Sequence, residues 1–266
     1  MSSIDDVFHR LRSAGRKALI PFLTAGDPDL EFTAAALREF GSRGAALCEV
    51  GVPYSDPIAD GPVIQASYTR ALARKVKLSQ ILAMTTDVAP TLPCPVATMV
   101  SYAVVHRYGP ERFVAAAQRA GLAGAIVPDL LVEESAALAE TCRRADFSLI
   151  QLVTPTTPRD RAVRIAERSG GFIYYVSITG ITGERTQISA DLAENVAWLR
   201  SRTSLPICIG FGISTPEHVR QLAPAADGLI VGSAIVRRLA AAATEPRDRV
   251  LHEVGDYLAT LKAALG

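Results

Sequence analysis

Glu49 and Asp60 stand eleven residues apart in LCEVGVPYSDPIADGP (Leu47–Pro62), the first closing an apolar run and the second lying far along the loop that follows. A carboxylate at the end of an apolar run meets a low-dielectric wall that raises its pKa toward the working pH, whereas a loop carboxylate stays ionised. Two acids in unlike surroundings can divide acid and base work. A paired strand-end acid followed by a turn-forming aspartate leaves the same string, because Asp-Pro and Asp-Gly are ordinary turn residues. At the level of residue types both readings stand.

The elements that must position these acids are legible as alternation. KALIPFLT, ALCEVGV, PVATMVSY, GAIVPD, FSLIQLV, FIYYVSI, PICIGF and DGLIVG read as eight strands. Amphipathic stretches such as LEFTAAALREFGSRG, PERFVAAAQRAG and PRDRAVRIAERSG separate them. Strand–helix alternation predicts a parallel sheet, and eight such units predict an α/β fold of the (βα)₈ TIM-barrel type. One domain over residues 1–266 is expected, with an extra N-terminal helix at Ile4–Ser13 and an extra helix after the second unit at Leu78–Val88. In such a barrel the chemistry lies at the C-terminal ends of the strands. That rule sets Glu49 at the end of the second strand, Asp60 in its loop, Asp129 after the fourth strand, and Tyr174 and Tyr175 in the sixth.

Three small-residue turns follow the last three strands: Gly180-Ile181-Thr182-Gly183, Gly210-Phe211-Gly212 and Gly232-Ser233. Glycine lets backbone N–H groups approach an anion, a helix start adds partial positive charge, and Ser233 offers a hydroxyl, so a phosphate fits there without Lys or Arg. Phe22, Val100, Tyr102, Val127, Val153 and Phe211 are candidates for an apolar slot beside it. His9, His106, His218 and His252 lack a partner Ser or Cys pattern. Lys17, Lys75 and Lys77 read as solvated and supply no Schiff-base nucleophile, so acid–base chemistry is favoured over covalent catalysis.

Composition narrows the partners. With 28 Lys and Arg against 27 Asp and Glu, the net charge of +1 carries no footprint for nucleic acid or an anionic membrane, which leaves a small-molecule substrate. Cys48, Cys94, Cys142 and Cys208 show no CxxC and no histidine at ligand spacing, so reduced thiols and no metal are expected. The N-terminus lacks an uninterrupted apolar signal core, and no run approaches the roughly 18 apolar residues of a membrane span. A cytoplasmic protein is expected.

With these residues on the page, the chain resembles the tryptophan synthase alpha family over essentially its full length. EVGVPYSDPIADGPVIQAS, VPDLLVEES, YYVSITGITGERT and IGFGISTPEHV correspond in order and spacing to that family's signature segments. The resemblance implies a (βα)₈ barrel and a lyase that cleaves indole-3-glycerol phosphate to indole and glyceraldehyde 3-phosphate in tryptophan biosynthesis. It maps the catalytic acids onto Glu49 and Asp60, the phosphate contacts onto Gly183, Gly212, Gly232 and Ser233, and the pocket aromatics onto Phe22, Tyr174 and Phe211. Thr182 falls in a loop that closes over substrate. It further implies an α₂β₂ heterotetramer with a β subunit that receives the indole and carries pyridoxal phosphate, with no cofactor in this chain.

Two departures stand out: Ser101-Tyr102-Ala103-Val104 replaces a Tyr-Tyr-Asn-Pro-like segment, and Lys75 replaces a helix-ending glycine, so that it either takes a left-handed cap or the helix ends differently. A stand-alone lyase and a non-catalytic docking subunit are the competing readings. Intact Glu49, Asp60 and glycine turns argue against the second. An isomerase or aldolase on the same scaffold lacks a Lys nucleophile or His electrophile at a strand end.

Overall fold

The computed structural model describes residues 2–57, 60–177, 190–210 and 212–266. Its strands are β1 (Ala18–Thr24), β2 (Cys48–Gly51), β3 (Val96–Met99), β4 (Leu122–Ile126), β5 (Ser148–Ile150), β6 (Leu152–Val153), β7 (Ile173–Val176), β8 (Ile207–Gly210) and β9 (Gly228–Val231). Its helices are α1 (Ser3–Ser13), α2 (Leu30–Ser42), α3 (Pro62–Ala73), α4 (Leu78–Val88), α5 (Tyr102–Tyr108), α6 (Pro110–Arg119), α7 (Ala136–Arg144), α8 (Arg159–Arg168), α9 (Ala190–Arg200), α10 (Pro216–Leu222), α11 (Ser233–Leu239) and α12 (Arg247–Ala263).

All recorded strand pairings are parallel, in the order β5-β4-β3-β2-β1-β9-β8-β7-β6. The run read as one fifth strand is interrupted at Gln151: β5 pairs with β4, β6 pairs with β7, and Tyr174 N–H donates to the Gln151 carbonyl at 3.1 Å. The sheet therefore curls round through that break into a (βα)₈ barrel.

Period-two alternation divides the core into two layers. Ile20, Phe22, Ala97, Met99, Ile126, Ile150, Tyr174 and Ile230 fill the barrel interior, while Leu19, Val50, Val96, Leu149, Tyr175 and Ile209 face the surrounding helices. Outside, α12 packs on α2, α2 on α4, α4 on α6 and α6 on α7. The second unit carries two helices, but the extra one is not Leu78–Val88 as expected: α4 fills the outer ring, whereas α3 packs against β1 and α11 and sends Ile64 and Tyr68 into the interior cluster.

The opposite end of the barrel is stoppered by α1. Ser2 caps that helix with a capping box to Asp5, and its hydroxyl lies 2.7 Å from that of Ser148, the first residue of β5. Ile4 and Phe8 are buried, with the Phe8 ring 5.6 Å from Phe172. Gly124 leaves the room this requires, since a Cβ there would stand 2.7 Å from the Ser148 carbonyl and 3.1 Å from Ile4. At the exit of α3, Lys75 takes φ 59°, the left-handed cap of the two expected outcomes. Lys17 is not solvated as expected; its ammonium donates to the Ala226 carbonyl at the strand N-terminal end, where burial lowers its pKa.

If α1 is part of the core, Phe8→Ala removes a fully packed ring and lowers unfolding free energy by about 3–5 kcal/mol. Urea denaturation followed by circular dichroism measures this. A loss below about 1 kcal/mol, the range of surface substitutions, would show that the stopper is dispensable.

Candidate active site

Glu49 is not at the end of its strand. It is the second residue of β2, in register between Phe22 of β1 and Ala97 of β3, because the apolar run continues through Val50 and Gly51. Alternation sets Leu47 and Glu49 inside the barrel and Cys48 and Val50 outside. The side chain has no accessible surface and neither carboxyl oxygen has a hydrogen-bond partner. Burial alone raises its pKa well above the usual carboxylate range, so the neutral acid is the resting form. On the mouth side of Glu49, Gly51 admits two rings: a Cβ there would stand 2.5 Å from the Phe22 ring and 2.9 Å from the Tyr68 hydroxyl.

Asp60 departs from expectation in the opposite sense, since it is no freely solvated loop acid. Burial pushes its pKa up to about 6, and the Tyr54 hydroxyl beside it pulls the other way; Oδ2 has no hydrogen-bond partner. Its backbone is fastened on both sides. Asp60 N–H donates to the Pro57 carbonyl at 3.1 Å, and the Gln65 amide reaches back from α3 to the Asp60 carbonyl at 2.8 Å. Gly61 and Pro62 then open α3, Pro62 supplying the preset φ of a first helical residue.

The helix that carries this loop is bolted to β1. The Ser67 hydroxyl donates to the Ile64 carbonyl at 2.7 Å, which leaves Thr24 as donor in the buried Thr24–Ser67 contact of 2.6 Å. One turn on, Arg70 grips Asp27 through Nε and Nη2 at 2.9 and 2.6 Å. A two-pronged pair with a buried carboxylate fixes direction as well as distance.

A cavity of about 240 Å³ opens above these acids, well over ten times the roughly 15 Å³ that one water requires. Phe22, Tyr174, Met99, Leu152, Val176 and Ile64 give it apolar walls, Asp60 lines one side, and Gly212, Ser214, Gly232, Ser233 and Arg237 line another. Glu49 lies beside Phe22 but does not line the space itself. Gly212 takes φ +76°, a conformation that favours glycine. Ser233 begins α11, and the first N–H groups of a helix have no partner within it. Tyr174 lies so close to β8 that a Cβ on Gly210 would stand 2.5 Å from its hydroxyl.

Of the expected site residues, Phe22, Tyr174, Gly212, Gly232, Ser233 and Asp60 meet at this cavity, with Glu49 one strand position from its floor. Thr182, Gly183 and Phe211 lie outside the described residues, as do Gly180 and Ile181. Val100, Val127 and Val153 do not form the slot; they pack outward against the helices, and the neighbouring Met99 and Leu152 point inward. Tyr102 opens α5 and does not line the cavity. Its segment is held by Asp129, which accepts from the Ser101 hydroxyl at 2.6 Å and from Tyr102 N–H at 2.7 Å. Arg237 and Tyr68 were not anticipated. The i, i+4 spacing of Ile64 and Tyr68 on α3 was the available signal for the second. Among the described residues no His, Cys, Asp and Glu cluster suits a metal ion.

A dry acid, a second acid that ionises near pH 6, aromatic walls and a glycine–serine–arginine rim suit proton transfer on a flat apolar ring that carries an anionic tail. The family model described as tryptophan synthase alpha chain matches residues 8–265. The tryptophan synthase alpha chain of Rhodopirellula baltica is 54% identical, with 100% of this chain and 99% of the relative covered, and that of Arabidopsis thaliana is 43% identical over 98% and 95%. Tryptophan synthase subunit alpha from Legionella pneumophila superposes with a TM-score of 0.90 at 32% identity, covering 100% and 98% of the two chains. An aminoacrylate-bound tryptophan synthase structure from M. tuberculosis gives 0.88 at 29%, covering 100% of each. Sequence and fold thus agree, and the chain belongs to the tryptophan synthase alpha chain family.

Proposed function

We propose that Glu49 and Asp60 divide the acid–base work of the alpha reaction, the retro-aldol cleavage of indole-3-glycerol phosphate to indole and glyceraldehyde 3-phosphate. The alpha chain is a carbon–carbon lyase of tryptophan biosynthesis, and its indole passes to the β subunit, which holds the pyridoxal phosphate. Cleavage of the bond between indole C3 and the glycerol chain needs a proton on C3, which makes the ring an electron-poor indolenine. It then needs a hydroxyl proton removed as the chain leaves as an aldehyde. Glu49, resting as the neutral acid, turns toward the cavity to give the first proton, and its conjugate base accepts the second. Asp60, ionised over most molecules at neutral pH, accepts the indole N–H hydrogen bond and offsets the positive charge that develops on the ring. These steps are proton transfers and call on no cofactor in this chain.

The observation that carries the proposal is the unlike setting of two carboxyls, Glu49 fully buried without a hydrogen-bond partner beside the cavity and Asp60 partly buried on its wall, which favours the neutral form of one and the ionised form of the other in a common pH range. Phe22 and Tyr174 supply the surface for the ring, joined by Phe211 on the family pattern. Gly212, Gly232 and Ser233, with Gly183, take the phosphate, and Arg237 adds positive charge at the same rim. The family pattern adds Thr182, outside the described residues, as a substrate contact. Residues 1–266 act as one barrel domain in the cytoplasm, within an α₂β₂ complex. Among the described residues no helix is long and apolar enough to cross a membrane.

Glu49→Gln, assayed in complex with the β subunit, should lower indole formation by about 10²–10⁴-fold, the range of a lost general acid–base group. Near-normal turnover would remove Glu49 from the proton path. The same variant carries a thermodynamic signature. A buried acid with a raised folded-state pKa costs nothing below its unfolded pKa, and destabilises progressively as pH rises and the unfolded chain ionises. Glu49→Gln should therefore melt above wild type at pH 8 and converge with it near pH 4, by calorimetry; equal melting at pH 8 would show that the carboxyl is not held neutral.

Asp60→Asn should cost less, about 10–100-fold, as one charge-stabilising contact is weakened. Wild-type kcat/KM should fall on the acid side through a midpoint near pH 6, as Asp60 protonates. Loss of that limb in Asp60→Asn assigns it to the enzyme. Its persistence would assign it to the substrate phosphate, whose second pKa is also about 6.

A further inference from the structure

Tyr68 is 1% exposed, and its hydroxyl has no hydrogen-bond partner. A buried donor without an acceptor costs about what a lost hydrogen bond costs, so such groups are normally paired. Two unpaired carboxyls lie with it, Oδ2 of Asp60, an acceptor, and that of Glu49, which keeps its own proton. The phenol reaches into this group over the backbone of Gly51, two residues beyond Glu49, and its ring packs on Tyr54 with centroids 5.4 Å apart. Tyr54 in turn is the residue that leans on the Asp60 carboxyl. Of the charges that bear on the Tyr68 hydroxyl, that of Asp60 is the largest, ahead of Glu49. The ring cannot drift, because Ser67 is bonded to Thr24 and Arg70 to Asp27 on either side of it.

We propose that Tyr68 is a positioning residue of the alpha reaction, its hydroxyl donating to Oδ2 of Asp60 in the loaded site and leaving Oδ1 free for the indole N–H. The inference rests on the role proposed for Asp60. A donor aimed at one carboxyl oxygen fixes the rotation of the group, so that the other oxygen meets the ring nitrogen, and favours the ionised form. Phe at position 68 supplies no such donor but fills the same apolar space, which separates positioning from packing.

The test is Tyr68→Phe in the full complex with the β subunit, measuring indole release against pH. Loss of a hydrogen bond to a charged group predicts a fall in kcat of about tenfold. KM should change little, and the acid limb should move to higher pH than in wild type. In an Asp60→Asn background Tyr68→Phe should cost nothing more, because the acceptor's charge is gone. Wild-type kcat and limb in Tyr68→Phe, beside an impaired Asp60→Asn, overturn the assignment of Tyr68 alone. A loss that adds in full to that of Asp60→Asn also overturns it, since Tyr68 would then act elsewhere. Full activity in Asp60→Asn overturns the role of Asp60 itself and the assignment of Tyr68 with it.

Discussion

The rest of the site depends on a carboxyl group that has no water to ionise into. Glu49 is flanked in the sheet by Phe22 and Ala97, backed by an interior of Ile20, Met99, Ile126 and Ile230, and closed off below by Ile4 and Phe8 of α1. A charged carboxylate there lacks both solvent and partner, which is among the costliest arrangements a fold can hold, and the group responds by keeping its proton. The barrel thus acts on the chemistry through dryness. Its apolar layers and its helical stopper set the protonation state of Glu49.

Asp60 shows what the same effect yields when it is incomplete. Its carboxyl is partly buried and lies by the Tyr54 hydroxyl, so its pKa stops at about 6 and the ionised form prevails at neutral pH. The difference between the two acids is built by topology: one is inside a strand, the other at the junction of a loop and a helix laid across the mouth. That helix is α3, and its two attachments to β1, Thr24–Ser67 and Asp27–Arg70, tie the loop of one unit to the strand of the preceding one. Asp60 is in this sense positioned by β1 as much as by the strand it follows.

The strand runs, the alternation that makes the sheet parallel and the extra N-terminal helix were all legible in the sequence, because each follows from a local rule. What a local rule leaves open is phase. Val100 and Val153 stand one residue from Met99 and Leu152, and a slip of one in a strand exchanges the inside for the outside. An all-apolar strand buried on both faces carries no polar residue to set that phase, so the outward valines were indistinguishable from wall residues. Glu49 was misplaced for the same reason: with Val50 and Gly51 beyond it, the end of the strand could not be read from hydropathy. Burial of Asp60 and the approach of Arg237 and Tyr68 depend on how α3 and α11 cross the mouth, which is long-range packing. The turns at Gly212 and Gly232 announced themselves; the side chains that meet them did not.

The unpaired carboxyl of Glu49 also bears on why the core is as it is. Elsewhere in the described interior, buried polar groups such as Thr24, Ser67, Thr98 and Ser148 find partners on adjacent strands or helices. Three of the unsatisfied ones, Glu49, Asp60 and Tyr68, gather beside the cavity, whereas Tyr175 faces the helices. Local cost accepted at the place proposed for substrate is the pattern expected when stability elsewhere supports a strained site. A neutral isostere at position 49 relieves the cost and removes the proposed proton donor in one step. The carboxyl is therefore retained against folding stability, and the large apolar barrel around it is what makes that retention possible.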